Sequence, residues 1–488
     1  MLRGNHRFGS IVDPRDESDV IAKKVNFIEV PLTDIVTGNS LSPTDLVTRL
    51  SEANARILLY GEYGIGKSMT ARFIFNALAK RYRDGVSSRV TVFLNLREHT
   101  GQRRPSEALR THCEDIGFER PNDLVAAWKA GYVIPILDGF DEMSSPGWGR
   151  SLSKIREYRY AAMGLIREFI EQTPSNLPVA LLGRSNYFDH FDEMKKSLGI
   201  TSYWTCYTID QLDETQANKL LRSLGHNAAV PDWVPPRPLM LSYYASISVG
   251  SDFRGNSRGI SAAEGWDNFF DRLSAREARQ REPVVTPETV RIILHNLATL
   301  ARREPDGLGK FSIQEMSDVF SEIAGYFPDE DAQGLLLRLP GLRPHASGDG
   351  SRAFVDISFA SALKGGDIAE YILDPFNQQR KERFRDCFSS GKLAKQMVAH
   401  LLHKKNIAVG SLKRPLELAS DDGFGQLASD VLLSWVEFGE FKYDKHIFIS
   451  GCEEEFLCLE EEYCDFSKIT FDGCVFHNYI VDDGFDQA

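Results

Sequence analysis

Among the 488 residues, no apolar run approaches the ~18 needed to span a bilayer. The opening residues, MLRGNHRFGS, lack the apolar stretch of a secretion signal. These absences predict a cytoplasmic chain with no membrane partner. The seven cysteines, at 113, 206, 387, 452, 458, 464 and 474, form no C-x-x-C pair and no even framework. That argues for a reducing compartment and against both disulfides and zinc. Eleven histidines include no H-E-x-x-H, so a helix-borne metal hydrolase is not expected. Basic surplus is missing too. Of the net charge of −12, the stretch from Glu437 to Ala488 carries −11, with fourteen Asp and Glu against three Lys and Arg. The rest of the chain is nearly neutral, so nucleic acid is not an expected partner. The acidic tail could repel DNA, mimic it or keep the chain in solution, and the last is the default.

What is present is ordinary for a folded protein: 42% hydrophobic and 26% charged residues, in a chain too long for one core. One segment is far from ordinary. Residues 61–68, GEYGIGKS, fit G-x-x-x-x-G-K-[ST], the phosphate-binding loop of NTPases. RILLY (56–60) predicts a buried strand entering the loop. Residues 67–82 predict an amphipathic helix leaving it, with Met69, Phe73, Ala77 and Leu78 near one face. Backbone N–H groups along Gly61, Glu62, Tyr63, Gly64, Ile65, Gly66, Lys67, Ser68 and Met69 would cradle phosphate oxygens at the positive end of that helix. Lys67 would reach the β- and γ-phosphates of ATP or ADP, and Ser68 would hold Mg²⁺.

Strands and helices then alternate. FIEVPL (27–32) predicts a short strand, and SPTDLVTRLSE (42–52) a helix with Ser42 as N-cap and Pro43 at N1. RVTVFLNL (89–96), YVIPILD (132–138) and LPVALLG (177–183) read as buried strands, and 121–131 and 153–172 as helices. This rhythm argues for a parallel sheet covered by helices, with the ligand at the strands' carboxyl ends. Asp138 closes the second of those strands, where it would bind Mg²⁺, usually through water. Asp141 and Glu142 follow in the turn, and either could orient or deprotonate an attacking water. Arg184 closes the third strand and could contact the γ-phosphate, reporting whether ATP or ADP is bound.

GEYGIGKS, GYVIPILDGFDEM and VALLGRS together resemble the NACHT group of signal-transducing STAND ATPases. The D-G-F-D-E run is the most specific piece. The resemblance makes Asp138 the Mg²⁺-linked acid, Asp141 and Glu142 the pair supporting hydrolysis, and Arg184 the sensor, although the family's T-S-R-P reads L-G-R-S here. PPRPLML (235–241) resembles the family's helical-domain motif and assigns Pro238 to the adenine. Where the family often has F-x-H-x-[ST]-F, this chain reads FVDISF (354–359), with Asp356 replacing the histidine that helps hold the diphosphate. That role is therefore not carried over.

The expected organisation is an N-terminal arm (1–25), an α/β P-loop NTPase domain with a parallel sheet (26–208), a helical domain (209–284), a winged-helix-like domain (285–375), a helical segment (376–440) and an acidic tail (441–488). In the tail, Phe456, Phe466, Phe471, Phe476 and Val481 share a five-residue register that Glu461 interrupts. A second column runs through Leu459, Cys464, Ile469, Cys474 and Tyr479. This resembles the pentapeptide-repeat family, whose square β-solenoid buries one bulky and one small residue per repeat.

The leading expectation is an ATP-binding and slowly hydrolysing switch, clamped between the α/β domain and the helical and winged-helix lid. It would open and self-assemble in the ATP state when an unknown trigger is sensed, with the tail as the candidate sensing surface. The resemblance implies prokaryotic antiphage defence. The family's N-terminal effector has no room before the first strand, so a separate effector protein is one expectation. A constitutive ATPase acting as a chaperone or remodeller, a DNA-mimicking interaction protein and a winged-helix DNA regulator are the rival readings.

Overall fold

The computed structural model describes residues 27–52, 54–143, 152–227, 229–250, 260–279, 285–439, 441–454, 457–458 and 464–480. The expected arm and Phe456, Leu459, Glu461 and Val481 lie outside them. The chain divides into two compact units, one of Met1–Ser257 with Ala346–Asp349, the other of Arg258–His345 with Gly350–Ala488.

The first unit is built on a seven-stranded sheet. Its strands are β1 (Leu32–Asp34), β2 (Ser40–Leu41), β3 (Arg56–Gly61), β4 (Val90–Asn95), β5 (Val133–Asp138), β6 (Val179–Arg184) and β7 (Trp204–Ile209), in the order β2-β1-β7-β3-β6-β5-β4. The five strands from β7 to β4 are mutually parallel, while β1 runs antiparallel to both its neighbours. The inner strands are apolar along nearly their whole length because a parallel sheet has no wet face; all six residues of β5 are buried. Between the strands lie α1 (Pro43–Glu52), α2 (Lys67–Arg83), α3 (Pro105–Asp115), α4 (Pro121–Lys129), α5 (Leu152–Ala162), α6 (Gly164–Gln172) and α7 (Phe191–Leu198). After β7 come α8 (Glu214–Ser223) and α9 (Pro238–Gly250). Ser42 caps α1 as its sequence predicts, its hydroxyl accepting from the Asp45 N–H at 3.0 Å.

Three expectations need correction. FIEVPL does not form a strand until Leu32: Pro31 brings no N–H to a ladder, and pairing starts after it. The helix expected over 153–172 is two helices that meet at Met163. Strand β7 crosses the expected domain limit at 208 and ends at Ile209. Its mixed sequence, WTCYTI, is interrupted in burial at Thr205 and Thr208 and lacks the apolar run that marks its neighbours.

The second unit is mainly helical. It contains α10 (Ala262–Arg279), α11 (Pro287–Ala301), α12 (Ile313–Ala324), α13 (Glu330–Leu336), a hairpin of β8 (Leu342–Pro344) and β9 (Arg352–Phe354), and α14 (Ile357–Leu373). There follow α15 (Gln378–Arg383), α16 (Lys392–Lys404), α17 (Lys413–Asp421) and α18 (Gly425–Phe438). A capping box of Ser312 and Glu315 opens α12, and Thr286 caps α11. Strand β9 stops at Phe354, the first residue of FVDISF. Asp356 instead caps α14, its carboxylate accepting from the N–H groups of Ser358 (2.9 Å) and Phe359 (3.1 Å). Gly365 and Gly366 let α14 pack tightly: a Cβ would lie 2.4 Å from the Ala394 carbonyl oxygen and 2.3 Å from the His295 ring. Burial, with the Arg291 charge nearby, pushes His295 down to about 3.

The C-terminal strands are β10 (Phe441–Lys442), β11 (Ile447–Ser450), β12 (Glu453–Glu454), β13 (Leu457–Cys458), β14 (Cys464–Asp465), β15 (Ile469–Asp472), β16 (Val475–Phe476) and β17 (Tyr479–Ile480). They pair in parallel, β10 with β14, β11 with β15, β12 with β16 and β13 with β17. Ile447 pairs with Ile469, twenty-two residues on, so the tier is two residues longer than four five-residue repeats. Phe466 is buried and stacks on Phe441 with ring centroids 5.2 Å apart, while Phe471, Cys474 and Phe476 are half-buried against the same core. Glu454 breaks the apolar pattern on the first tier. Its buried carboxylate is matched by Lys395, by the Ser389 and Ser429 hydroxyls at 2.6 and 2.7 Å, and by Gln426 at 2.9 Å.

Gly425 at the start of α18 tolerates no side chain, because a Cβ there would lie 1.6 Å from the Ser450 carbonyl oxygen. Gly425→Ala is expected to cost about 2–3 kcal/mol in urea unfolding. Gly410→Ala, in open space, should stay within about 0.5 kcal/mol of the parent. His295 gives a pH signature. Its proton affinity is lower folded than unfolded, so stability is full above pH 6.5 and is lost as pH falls toward about 3. Unfolding at pH 7 and pH 5 should differ by about 2 kcal/mol more in the parent than in His295→Gln.

Candidate functional site

The loop joining β3 to α2 turns at Gly64 (φ 75°) and Gly66 (φ 105°), left-handed positions that favour glycine. Gly66 caps α2 without a side chain, so the helix begins with backbone donors and the positive end of its dipole at the loop. The Lys67 ammonium donates to the carbonyl oxygens of Gly61 (2.8 Å) and Glu62 (2.6 Å). Burial pushes it down to about 7, with the Arg184 charge adding to the effect and Asp141, Asp138 and Glu62 opposing it.

Sheet order brings the other motifs to this loop. Strand β6 lies between β3 and β5, pairing Arg184 with Gly61 on one side and Leu182 with Asp138 on the other. Asp138 is buried and hydrogen-bonded to the Ser68 hydroxyl. Burial pushes its carboxyl up to about 7, Glu142 and Asp141 push the same way, and Lys67 and Ser68 resist. After Asp138 the chain reverses at Gly139 (φ 85°), whose N–H donates to the Leu182 carbonyl at 2.9 Å. This folds Phe140–Glu142 against the end of β6. There Asp141 accepts the Arg184 backbone N–H at 2.8 Å and faces its Nε at 3.3 Å. The guanidinium also lies 3.9 Å from Glu142 and 4.9 Å from the centre of the Tyr63 ring. The glycine before Arg184 has a local reason: a Cβ at Gly183 would lie 2.4 Å from the Phe140 ring. The L-G-R of this chain and its D-G-F turn are thus fitted to one another.

The first turn of α9 completes the constellation. Pro238 packs on Gly66 and Leu239 on Gly64, where added Cβ atoms would meet them at 3.3 and 3.1 Å, and the Leu239 N–H donates to the Gly64 carbonyl at 3.3 Å. Gly61 to Met69, Asp138, Asp141, Glu142, Arg184 and Pro238 therefore gather in one unit. Asp356 belongs to the other unit and is engaged as a helix cap. Sequence reasoning missed Arg237. This buried guanidinium meets the Glu62 carboxylate at 2.9 Å and the Tyr63 carbonyl at 3.2 Å. Its one signal was its place beside Pro238, and a lone arginine before a helix has no diagnostic spacing.

The donors suit a polyphosphate with a hard cation. Ser68 and Asp138 offer oxygen ligands, and a dication beside Asp138 would favour its ionised form. Among the described residues no group of three or more His, Cys, Asp or Glu could hold a metal alone. Mg²⁺ takes one or two protein oxygens and completes its shell from phosphate and water.

Residues 55–228 match the NACHT domain family. The chain therefore carries a P-loop NTPase domain that binds and hydrolyses nucleotide. Similar solved structures include the Aeropyrum pernix ORC1 protein in complex with DNA, 14% identical, covering 69% of this chain and 92% of that one at a TM-score of 0.37. The ADPNP–ADP complexes of the Aeropyrum pernix ORC2 protein are 13% identical and cover 66% and 90% at a TM-score of 0.32. Domain III of the Thermotoga maritima replication initiation protein DnaA is 15% identical and covers 47% and 88% at a TM-score of 0.25. No curated protein matches the chain. No described helix is long and apolar enough to cross a membrane.

Removing the Lys67 ammonium leaves the loop without its mobile charge. Lys67→Ala is expected to lower affinity for a fluorescent ATP analogue at least tenfold in equilibrium titration and to abolish phosphate release. Unchanged turnover would sink the assignment of this loop.

Proposed function

We propose that this chain is an ATP-driven switch of the NACHT/STAND type that changes its assembly state between the ATP- and ADP-bound forms. The loop from Gly61 to Met69 cradles the phosphates, Lys67 leaves its two carbonyl partners for the β- and γ-phosphates, and Pro238 lies against the base. Ser68 and Asp138 hold Mg²⁺, which would neutralise charge building on the phosphate oxygens. Asp141 is committed by both oxygens to Arg184. Glu142, about one-third exposed, is thus the better placed of the two to orient or deprotonate water.

The observation that carries the switch reading is the position of Arg184. Its guanidinium is shared between Asp141, Glu142 and the Tyr63 ring, so it touches the hydrolytic turn and the phosphate loop together. A γ-phosphate would compete for it, being more highly charged than either carboxylate. The third phosphate is thereby converted into a change at two elements, and its loss restores the first arrangement. The C-terminal tiers of parallel strands are the candidate surface for the trigger, a separate protein the candidate effector, and bacterial antiphage defence the biological setting.

Light-scattering measurements of mass with ADP, ATP and a non-hydrolysable ATP analogue test this reading. Glu142→Gln should retain ATP, slow turnover at least tenfold and favour the assembled form. Arg184→Ala should bind nucleotide yet show the same mass in all three. Fast turnover with no nucleotide-dependent change in mass would favour a constitutive remodelling ATPase instead.

A further inference from the structure

The phosphate loop carries a charge of the wrong sign. Glu62 is its second residue, and its carboxylate lies on a segment whose backbone is expected to face phosphate oxygens. A carboxylate within a few ångströms of a triphosphate opposes binding strongly unless a cation shields it. Lys67 of the loop lies within electrostatic reach of Glu62, and a second cation, in direct contact with that carboxylate, comes from outside the loop. Arg237 precedes the first residue of α9, and its guanidinium is almost wholly buried. One nitrogen meets Glu62 Oε2 at 2.9 Å, and the other donates to the Tyr63 carbonyl at 3.2 Å. The next two residues follow the loop step by step, Pro238 on Gly66 and Leu239 on Gly64, with the Leu239 N–H on the Gly64 carbonyl. The Arg237 backbone is itself fixed, its N–H donating to the Pro235 carbonyl at 2.7 Å. The guanidinium is therefore a preset feature of this turn.

We propose that Arg237 is a positioning residue of the nucleotide site: it neutralises Glu62, aims that carboxylate away from the phosphates, and ties α9 to the loop in proportion to the charge the loop carries. Three consequences follow from electrostatics. Losing Arg237 removes the ion pair at 2.9 Å and with it counter-charge from Glu62 beside the phosphates, so affinity falls. The loss is larger for ATP than for ADP, because the repelled charge is larger. Neutralising Glu62 as well removes the repulsion, so the second change repairs the first.

The inference rests on reading residues 61–68 as the nucleotide site, and the test keeps the two apart. The full chain would be titrated with mant-ATP and mant-ADP at fixed Mg²⁺, for the parent, Arg237→Gln, Arg237→Lys, Glu62→Gln and the Arg237→Gln/Glu62→Gln pair, with thermal melting of each. The expectation is a loss of about tenfold in mant-ATP affinity for Arg237→Gln and a smaller loss for mant-ADP. Arg237→Lys should recover most of it, Glu62→Gln should bind more tightly than the parent, and the double variant should return to within about threefold of the parent. If the parent itself binds neither nucleotide, the site reading fails. If the parent binds but the double variant is as weak as Arg237→Gln, or ATP and ADP lose equally, Arg237 is only a packing contact and the inference is overturned. A folding defect would appear as a lowered melting temperature that Arg237→Lys repairs and Glu62→Gln does not, and that pattern overturns it too.

Discussion

The ion pair between Asp141 and Arg184 holds the candidate site in one piece. Between the turn after β5 and the end of β6 the backbone bond from the Gly139 N–H to the Leu182 carbonyl reaches only the first residue of the turn, and the acidic pair beyond it is fixed by side chains. Asp141 makes the joint twice, through the Arg184 backbone N–H and through its guanidinium. With that joint made, the Phe140 ring closes over Gly183, Glu142 is brought beside the same arginine, and Tyr63 receives the guanidinium on its face. Three segments far apart in sequence become one electrostatic unit, and a change in the charge near Arg184 is felt by all of them.

Buried ion pairs recur wherever the chain must be joined without a continuous apolar surface. Past Arg184, Arg159 sits fully buried between Asp189 (2.9 Å) and Glu193 (3.1 Å), fixing the path from β6 into α7. In the second unit, Arg302 and Asp430 pair with no exposure, and the Ser390 hydroxyl donates to the same carboxylate at 2.6 Å. Glu454, in the C-terminal strands, is matched on both oxygens from α16, α18 and Ser389. Such pairs add little net stability because both charges must leave water, but they are strongly destabilised when one partner is lost. They specify which surfaces meet.

Much of the fold was legible because the physics was local. Apolar runs of β-branched and aliphatic residues marked β3 to β6, and a Ser N-cap followed by proline at N1 marked α1. Mixed strands were less visible. WTCYTI carries aromatic and β-branched residues that suit a strand, but it lacks the continuous apolar run of its neighbours, and β3 and β1 flank it. FVDISF contains apolar alternation, yet Asp356 captures two backbone N–H groups and starts a helix there, a local hydrogen bond that outweighs the strand pattern. Among the described residues of the tail's five-residue columns, Phe466 is buried and Ile469, Phe471, Cys474 and Phe476 are half-buried, while Ile447 pairs with Ile469 at a distance of twenty-two residues.

The sequence by itself determined the chemistry on offer: a phosphate loop ending in Lys67 and Ser68, a carboxylate at the end of a buried strand, an acidic pair after it, and an arginine on a third strand. Each is a short pattern whose meaning lies in residues a few places apart. Only the tertiary structure decided how these are connected. The sheet order set β6 between β3 and β5, which put Arg184 against Asp141 rather than against solvent. The return of the chain after β7 laid Arg237 on Glu62, separated from it by 175 residues. Such partnerships depend on the closure of long loops and on the burial of charge, and no window of sequence contains them.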